Sequence, residues 1–288
     1  MNSYSPGLPW PLPPVELLAG PHGPLAFAAY EAERPWLRLL ISHGFGEHLG
    51  WYQHVVRTLR DAGISTYIFD QYHHGRSAGR PGDVARYADL VDGADAARLH
   101  VQALGGKAPL VLLGHSNGAL VAIHLMQRVP PGDFAGLVLC SPFLGLPHGT
   151  RRWGLPVARL LKALRPSLMV PLGEFPEFRT TDETLWPQYA RDALRFRRVS
   201  VRFVCAMARA ARAARAVDSC HDLPLLLISG DQEQVVDPAA GRRWFERLHS
   251  ADKTLTVYEG QRHELFNAPI WSQILADIVT WLGTRFRR

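Results

Sequence analysis

The chain predicts an α/β protein: a mostly parallel central sheet with helices on both faces and a helical cap inserted late in the fold. Three observations carry this expectation. Short apolar runs of strand length alternate with segments of helical spacing along most of the 288 residues. The runs are apolar throughout rather than every second residue, as strands covered on both faces must be. The alternation then breaks between about Phe143 and Ala216, where Pro147, Pro156, Pro166, Pro171, Pro176 and Pro187 interrupt it.

Taken in order, residues 1–20 form a proline-rich arm, read as an extended segment along the surface. Strands are predicted at Leu25–Tyr30, Leu37–Ser42, Ile64–Phe69, Leu110–Leu113, Ala135–Cys140, Leu223–Ser229 and Lys253–Tyr258. Helical spacing marks Tyr52–Ala62, Tyr87–Leu104, Ala119–Val129, Pro238–Leu248 and Ile270–Leu282. The interrupted stretch offers no convincing strand. Short helices are expected there at Leu155–Leu164 and Asp182–Tyr189, and a longer one from Ser200, a suitable N-cap, to Val217. The domain reading is therefore a core in two parts, 1–142 and 218–288, with a helical cap at 143–217.

Composition narrows the class. Hydrophobic content of 47% and charged content of 20% exclude wholesale disorder. The net charge of +6 comes from arginine, since only Lys107, Lys162 and Lys253 are lysines. No nucleic-acid motif or zinc-ligand spacing accompanies that charge. A merely solvated basic surface is the first expectation, contact with an anionic membrane the second, and nucleic acid is not expected. Cys140, Cys205 and Cys220 have no disulfide-framework spacing, which suits a reducing compartment. The first twenty residues carry no basic residue, unlike a secretory signal, and no apolar stretch reaches bilayer-spanning length. The expected location is cytoplasmic, with peripheral membrane contact as an addition.

The most informative pentapeptide is Gly114-His115-Ser116-Asn117-Gly118, set between the strand Leu110–Leu113 and the helix that follows. Strand, G-x-S-x-G turn and helix make a nucleophile elbow, which lifts a serine hydroxyl to the carboxyl end of a sheet. A hydroxyl needs a base to take its proton, and the base needs a carboxylate to orient it. Chain order on such a sheet is serine, acid, histidine. After Ser116, Glu233 follows the strand Leu223–Ser229, and His263 follows the strand ending at Tyr258. Asp231 and Asp237 are alternative acids; Asp237 precedes Pro238 and also suits a helix cap. The developing oxyanion needs two N–H donors. Asn117 supplies one, and Phe45, between Gly44 and Gly46 after the strand Leu37–Ser42, is the candidate for the other. His115 is expected to face the sheet's surroundings, and His73 and His74 to be turn residues, a metal pair being the alternative.

Five blocks together resemble the α/β-hydrolase superfamily, specifically its monoacylglycerol lipases and lysophospholipases. They are His43 to His48, Phe69 to Ser77, Gly114 to Gly118, Gly230 to Pro238 and His263 to Asn267. The resemblance implies the α/β-hydrolase fold and a triad of Ser116, Glu233 and His263. It also implies oxyanion donors at Phe45 and Asn117, and no metal or organic cofactor. Two residues depart from the family pattern: Asn117 stands where methionine is usual, and Glu233 where aspartate is commoner. The implied activity is cleavage of monoacylglycerols or lysophospholipids through an acyl-enzyme. The same machinery could serve a thioesterase, an acyltransferase or an amidase or aminopeptidase, and some such folds are binding modules without catalysis. Large apolar cap residues, among them Trp153, Leu160, Leu164, Phe175 and Phe178, suit an acyl-chain lid or simply the cap's own core. Arg151, Arg152, Arg202, Arg209 and Arg212 suit contact with anionic lipid, or a solvated face.

Overall fold

The computed structural model describes residues 6–7, 14–146, 148–173 and 175–287. Most of the proline-rich arm, and the side chains of 148–154 with Arg151, Arg152 and Trp153, lie outside the described residues. The main sheet comprises β1 (Glu16–Gly20), β2 (Gly23–Tyr30), β3 (Leu37–Ser42), β4 (Ile64–Phe69), β5 (Leu110–His115), β6 (Gly136–Cys140), β9 (Leu225–Gly230) and β10 (Lys253–Tyr258). Their spatial order is β1-β2-β4-β3-β5-β6-β9-β10. β1 and β2 run antiparallel, and every pair from β4 onward is parallel. The fold is that of an α/β hydrolase.

Parallel neighbours need crossover helices, and these cover both faces. α1 (Gln53–Asp61) and α9 (Trp271–Phe286) pack on one face through Val55, Val56, Leu59, Ile274, Ile278 and Leu282. α2 (Ala88–Ala103), α3 (Asn117–Met126) and α8 (Pro238–Arg247) cover the other through Leu90, Leu120, Ile123 and Trp244. β5 serves both: Leu110 and Leu112 enter one cluster, Val111 and Leu113 the other. This is why its run is apolar at every position.

The stretch between β6 and β9 holds α4 (His148–Leu164), β7 (Met169–Pro171), α5 (Pro176–Arg179), α6 (Trp186–Arg191), β8 (Arg198–Ser200) and α7 (Val201–Ala214). Ser200 caps α7, its hydroxyl accepting from the Phe203 N–H. Phe203, Met207, Ala210 and Ala214 of α7 are buried. The insertion is fastened to the core along two edges. On one, Arg202 grips Asp83 with two hydrogen bonds of 2.6 and 2.7 Å. On the other, Asp192 receives the Trp51 indole N–H at 2.6 Å and lies 2.7 Å from His48 Nε2.

Several sequence expectations need correction. The first twenty residues are not all arm: Glu16–Gly20 pairs with β2 and forms a sheet edge. The interrupted stretch does hold strands, since β7 and β8 pair antiparallel; at three residues each they are too short to leave a pattern. α4 begins at His148 rather than at Leu155 and runs through Pro156. Arg202 belongs to an ion pair with the core, not to a solvated or lipid-facing row. Leu160, Leu164, Phe175 and Phe178 are exposed, so they build neither the interior of the insertion nor a buried lid.

Candidate active site

The elbow follows from close packing. A Cβ at Gly118 would sit 2.0 Å from the carbonyl oxygen of Ser42, and one at Gly114 would meet the Gly118 carbonyl at 2.5 Å. Only glycine lets β5 and α3 approach β3 so tightly. The chain between them turns through Ser116 at φ 53° and ψ −112°, a conformation that costs a non-glycine residue on the order of 1–3 kcal/mol. The turn leaves the Ser116 side chain at the end of β5 and at the mouth of α3.

His263, beyond β10, reaches the serine: its Nε2 lies 2.8 Å from Ser116 Oγ. Its Nδ1 lies 2.7 Å from Glu233 Oε2. The Glu233 Oε1 accepts the N–H groups of Val235 and Val236 at 2.7 and 3.1 Å, which fixes the carboxylate. Burial pushes the Glu233 carboxyl up, but the attraction of His263 and these hydrogen bonds outweigh it, and it sits below its ordinary range. The loops carrying the two residues are stitched together by the Asp231 N–H to Tyr258 and the Gln232 N–H to Gln261. Asp231 and Asp237, the alternative acids, are engaged elsewhere. Asp231 accepts from the Gly260 N–H, and Asp237 caps α8 by accepting from the Ala239 N–H. Ser116, His263 and Glu233 are all buried.

Phe45 and Asn117 lie on the loop after β3 and at the first residue of α3. Among the described residues neither backbone N–H donates to a protein acceptor. Asn117 N–H also stands at the positive end of α3, which favours an anion there. The Asn117 side chain has a packing role of its own. Its Nδ2 donates to Gln71 Oε1 at 2.9 Å, and its Oδ1 accepts from the Tyr87 hydroxyl at 2.8 Å. Gln71 in turn donates to the His43 carbonyl, so the elbow and the loop after β3 share one network.

Beneath the histidine lies a buried polar layer that the sequence reading missed. Glu47 accepts from the Gly44 N–H at 2.8 Å and from the Tyr52 hydroxyl at 2.7 Å, and lies 3.3 Å from His115 Nδ1. His115 Nε2 lies 3.3 Å from the His263 carbonyl, which also accepts from the Ser141 hydroxyl at 3.0 Å. The backbone of His263 is therefore held from below by two groups. Burial lowers the His115 pKa, but the Glu47 charge and hydrogen bond outweigh it, so the net shift is upward. Burial likewise opposes ionisation of Glu47, whose attraction to His115 and Arg195 still holds it well below the carboxylate range. The signal in sequence was a glutamate three residues after Gly44 in a loop with no solvent-facing use for it.

His73 is a turn residue, at φ 63°. His74 is buried with its Nε2 unpartnered, among the rings of His43, Phe45, Phe196 and Phe203. Among the described residues the one cluster of three metal-type ligands is His22, Asp89 and Asp92, at the β1–β2 turn and α2. Arg128 already pairs with Asp92 at 2.6 Å, and the histidine pair 73–74 is no part of it.

A profile of the family described as serine aminopeptidase, S33, matches residues 33–269. Phospholipase YtpA of Bacillus subtilis is 28% identical over 241 residues, covering 83% of this chain and 92% of that one. Monoacylglycerol lipase of Mycolicibacterium smegmatis is 26% identical over 251 residues, covering 85% and 87%. Among solved structures, the monoacylglycerol lipase of Paleococcus ferrophilus superposes with a TM-score of 0.80 at 28% identity, covering 91% of this chain and 99% of that one. A soluble variant of the Saccharomyces cerevisiae monoglyceride lipase, in complex with a substrate analog, superposes at 0.84 with 20% identity, covering 97% and 99%.

Proposed function

The chain belongs to the serine aminopeptidase S33 family of α/β hydrolases, and from that premise we propose that it is a serine hydrolase cleaving the carboxylic esters of monoacylglycerols or lysophospholipids. The observation that carries the proposal is the unbroken hydrogen-bond chain from Ser116 through His263 to Glu233, all three side chains buried. Relatives that act on glycerolipids supply the substrate class.

On this reading Ser116 Oγ attacks the ester carbonyl as His263 Nε2 takes its proton. Glu233 holds Nδ1 and stabilises the imidazolium that forms. The carbonyl oxygen gains the negative charge between the N–H groups of Phe45 and Asn117. Collapse of the tetrahedral centre breaks the C–O bond, and the leaving alkoxide takes the proton from His263. An acyl-enzyme is left on Ser116. Water, deprotonated by His263, then attacks it and frees the fatty acid. Neither half-reaction needs a metal or cofactor. Residues 143–217 act as a cap: the Phe45 ring packs against Phe196 and Phe203 of the insertion, with centroids 5.0 and 5.3 Å apart. Such an apolar wall suits an acyl chain.

The proposal extends to where the enzyme works. Val157, Leu160 and Leu164 stand exposed on one side of α4 at i, i+3 and i+7. Beside them a groove of about 720 Å3 is lined by Arg159, Lys162, Arg209 and Arg212. Apolar groups flanked by cations match the surface of an anionic bilayer. No helix among the described residues is long and apolar enough to cross a membrane. With its three cysteines buried and free, the proposed setting is cytoplasmic with peripheral attachment.

A fluorophosphonate probe tests the catalytic reading. Labelling of Ser116 that is abolished by Ser116→Ala, with turnover of nitrophenyl octanoate above acetate, is the expected result. An unlabelled Ser116, or turnover confined to peptide amides, overturns it.

A further inference from the structure

Beside the oxyanion loop lies a cavity of about 270 Å3 that shares Phe45 and Phe196 with the apolar wall and whose polar side the mechanism above does not use. Phe45 and Gly46 form its wall on the core side, and Arg179, Trp186, Tyr189, Arg195 and Arg197 are the polar side chains that line it.

Two of the residues that line it carry donors without acceptors. Arg195 Nη1 and Trp186 Nε1 are both buried, and neither has a hydrogen-bond partner. The Arg195 side chain is only 9% exposed, and its counter-charge, Glu264, stands 3.8 Å away, beyond hydrogen-bond reach. Glu264 is already occupied. It accepts from the Tyr189 hydroxyl at 2.5 Å, from Asn267 Nδ2 at 3.0 Å and from Arg179 Nη1 at 3.3 Å. The Arg195 guanidinium rests instead over the Tyr189 and Trp51 rings, 4.5 and 5.5 Å from their centroids. It is held in place by rings and by a charge, with its own N–H groups unspent.

A buried donor left unmatched is unfavourable, so a ligand that supplies the acceptor gains affinity. Glycerol hydroxyls would bring donors that need acceptors as well. The oxygens of an ionised phosphate only accept, and the guanidinium fork suits them. We propose that this cavity binds the phosphate of a lysophospholipid headgroup, Arg195, Arg179 and Trp186 donating to its oxygens while the acyl ester lies at Ser116. The assignment rests on the ester-hydrolase reading for its orientation, and it narrows the substrate to the phosphate-bearing member of the two lipid classes.

The test separates the two claims by measuring binding without turnover. Ser116→Ala protein is titrated by calorimetry with octanoyl lysophosphatidate, octanoylglycerol and inorganic phosphate. The phosphate-bearing lipid is expected to bind at least tenfold more tightly than the neutral one. Adding Trp186→Phe, which keeps an aromatic ring but removes the indole N–H and leaves Glu264 untouched, is expected to remove most of that preference, as is Arg195→Lys. Should Arg195→Lys fail to fold, Trp186→Phe decides alone. Equal affinity for the two lipids, or a preference unchanged by Trp186→Phe, overturns the proposal. Inorganic phosphate is expected to displace the lysophosphatidate. A cavity that takes the free ion without displacing the lipid is no headgroup site, and the proposal falls. If the phosphate preference appears but the wild-type protein cleaves no ester, the cavity stands and the hydrolase reading fails. If esters are cleaved without a preference, the reverse holds.

Discussion

Oε2 of Glu233 lies 2.7 Å from Nδ1 of His263, whereas Asp231, two residues earlier, spends its carboxylate on the N–H of Gly260. Glu233→Gln keeps the size and a hydrogen bond but favours the wrong imidazole tautomer. It should lower kcat on a nitrophenyl ester by roughly 10³–10⁴. Asp231→Asn should change it by no more than a few-fold. Steady-state kinetics on the two variants check the assignment, and a reversed order would move the acid to Asp231.

Gly118→Ala is expected to be severe, because the added Cβ meets the backbone carbonyls of Ser42 and His43 at 2.0 and 2.5 Å. Neither oxygen belongs to a flexible side chain that could swing aside. Overpacking of this kind should cost at least about 3 kcal/mol. The midpoint of urea unfolding measures it, and a variant as stable as wild type would contradict the close approach of α3 to β3.

The Glu47–His115 pair should give stability a pH optimum. Glu47 is depressed below its ordinary 4.5, so its contribution is present above that value and fades as acid titrates the folded carboxylate. His115 is raised above 6.5, so its contribution is complete below that value and fades as pH climbs through the folded pKa. The two overlap fully between 4.5 and 6.5. Glu47→Gln leaves a buried imidazole without its counter-charge and should cost about 3–5 kcal/mol. Urea titrations across pH should show the variant losing most within that window.

His54 acts in the opposite sense. Burial holds its imidazole down at about 4, against the pull of the Phe266 carbonyl 2.7 Å from Nε2. The unfolded chain binds the proton near 6.5, so stability falls as pH drops from there toward 4. Each such proton contributes a slope of about 1.4 kcal/mol per pH unit. His54→Gln keeps a donor for Phe266 and should remove one proton's worth of that slope, leaving the part due to other buried imidazoles such as His74, which burial holds down at about 3.

Leu160→Glu should weaken binding to phosphatidylglycerol vesicles about tenfold or more, since it sets a carboxylate against an anionic surface. Hydrolysis of a water-soluble ester should persist. Vesicle sedimentation in parallel with nitrophenyl butyrate turnover checks both, and undiminished sedimentation would remove α4 from the contact.

The core was legible because burial on both faces writes itself into composition. Val111 and Leu113 face one cluster and Leu110 and Leu112 the other, so the run Leu110–Leu113 of β5 could only be apolar throughout. The elbow was legible because its glycines are steric necessities. What stayed hidden was set by tertiary contact. β7 and β8 are three-residue strands with no period to detect. Arg202 reads as one more surface arginine until Asp83, 119 positions earlier, is brought to it. Glu47 and His115 become a pair only because β3 and β5 are neighbours in the sheet. The exposed α4 leucines show the converse: apolar residues count as core in a sequence and need not be core in space.

The backbone at position 116 has one more consequence. At φ 53° and ψ −112°, any side chain there opposes folding, and glycine alone does not. Ser116→Gly should therefore be more stable to thermal unfolding than Ser116→Ala, by roughly 1 kcal/mol of unfolding free energy after allowing for the looser unfolded chain. The residue that would make this protein sturdiest is one that would leave it inert. On the proposed mechanism, reactivity is retained here against a standing thermodynamic pull toward its loss.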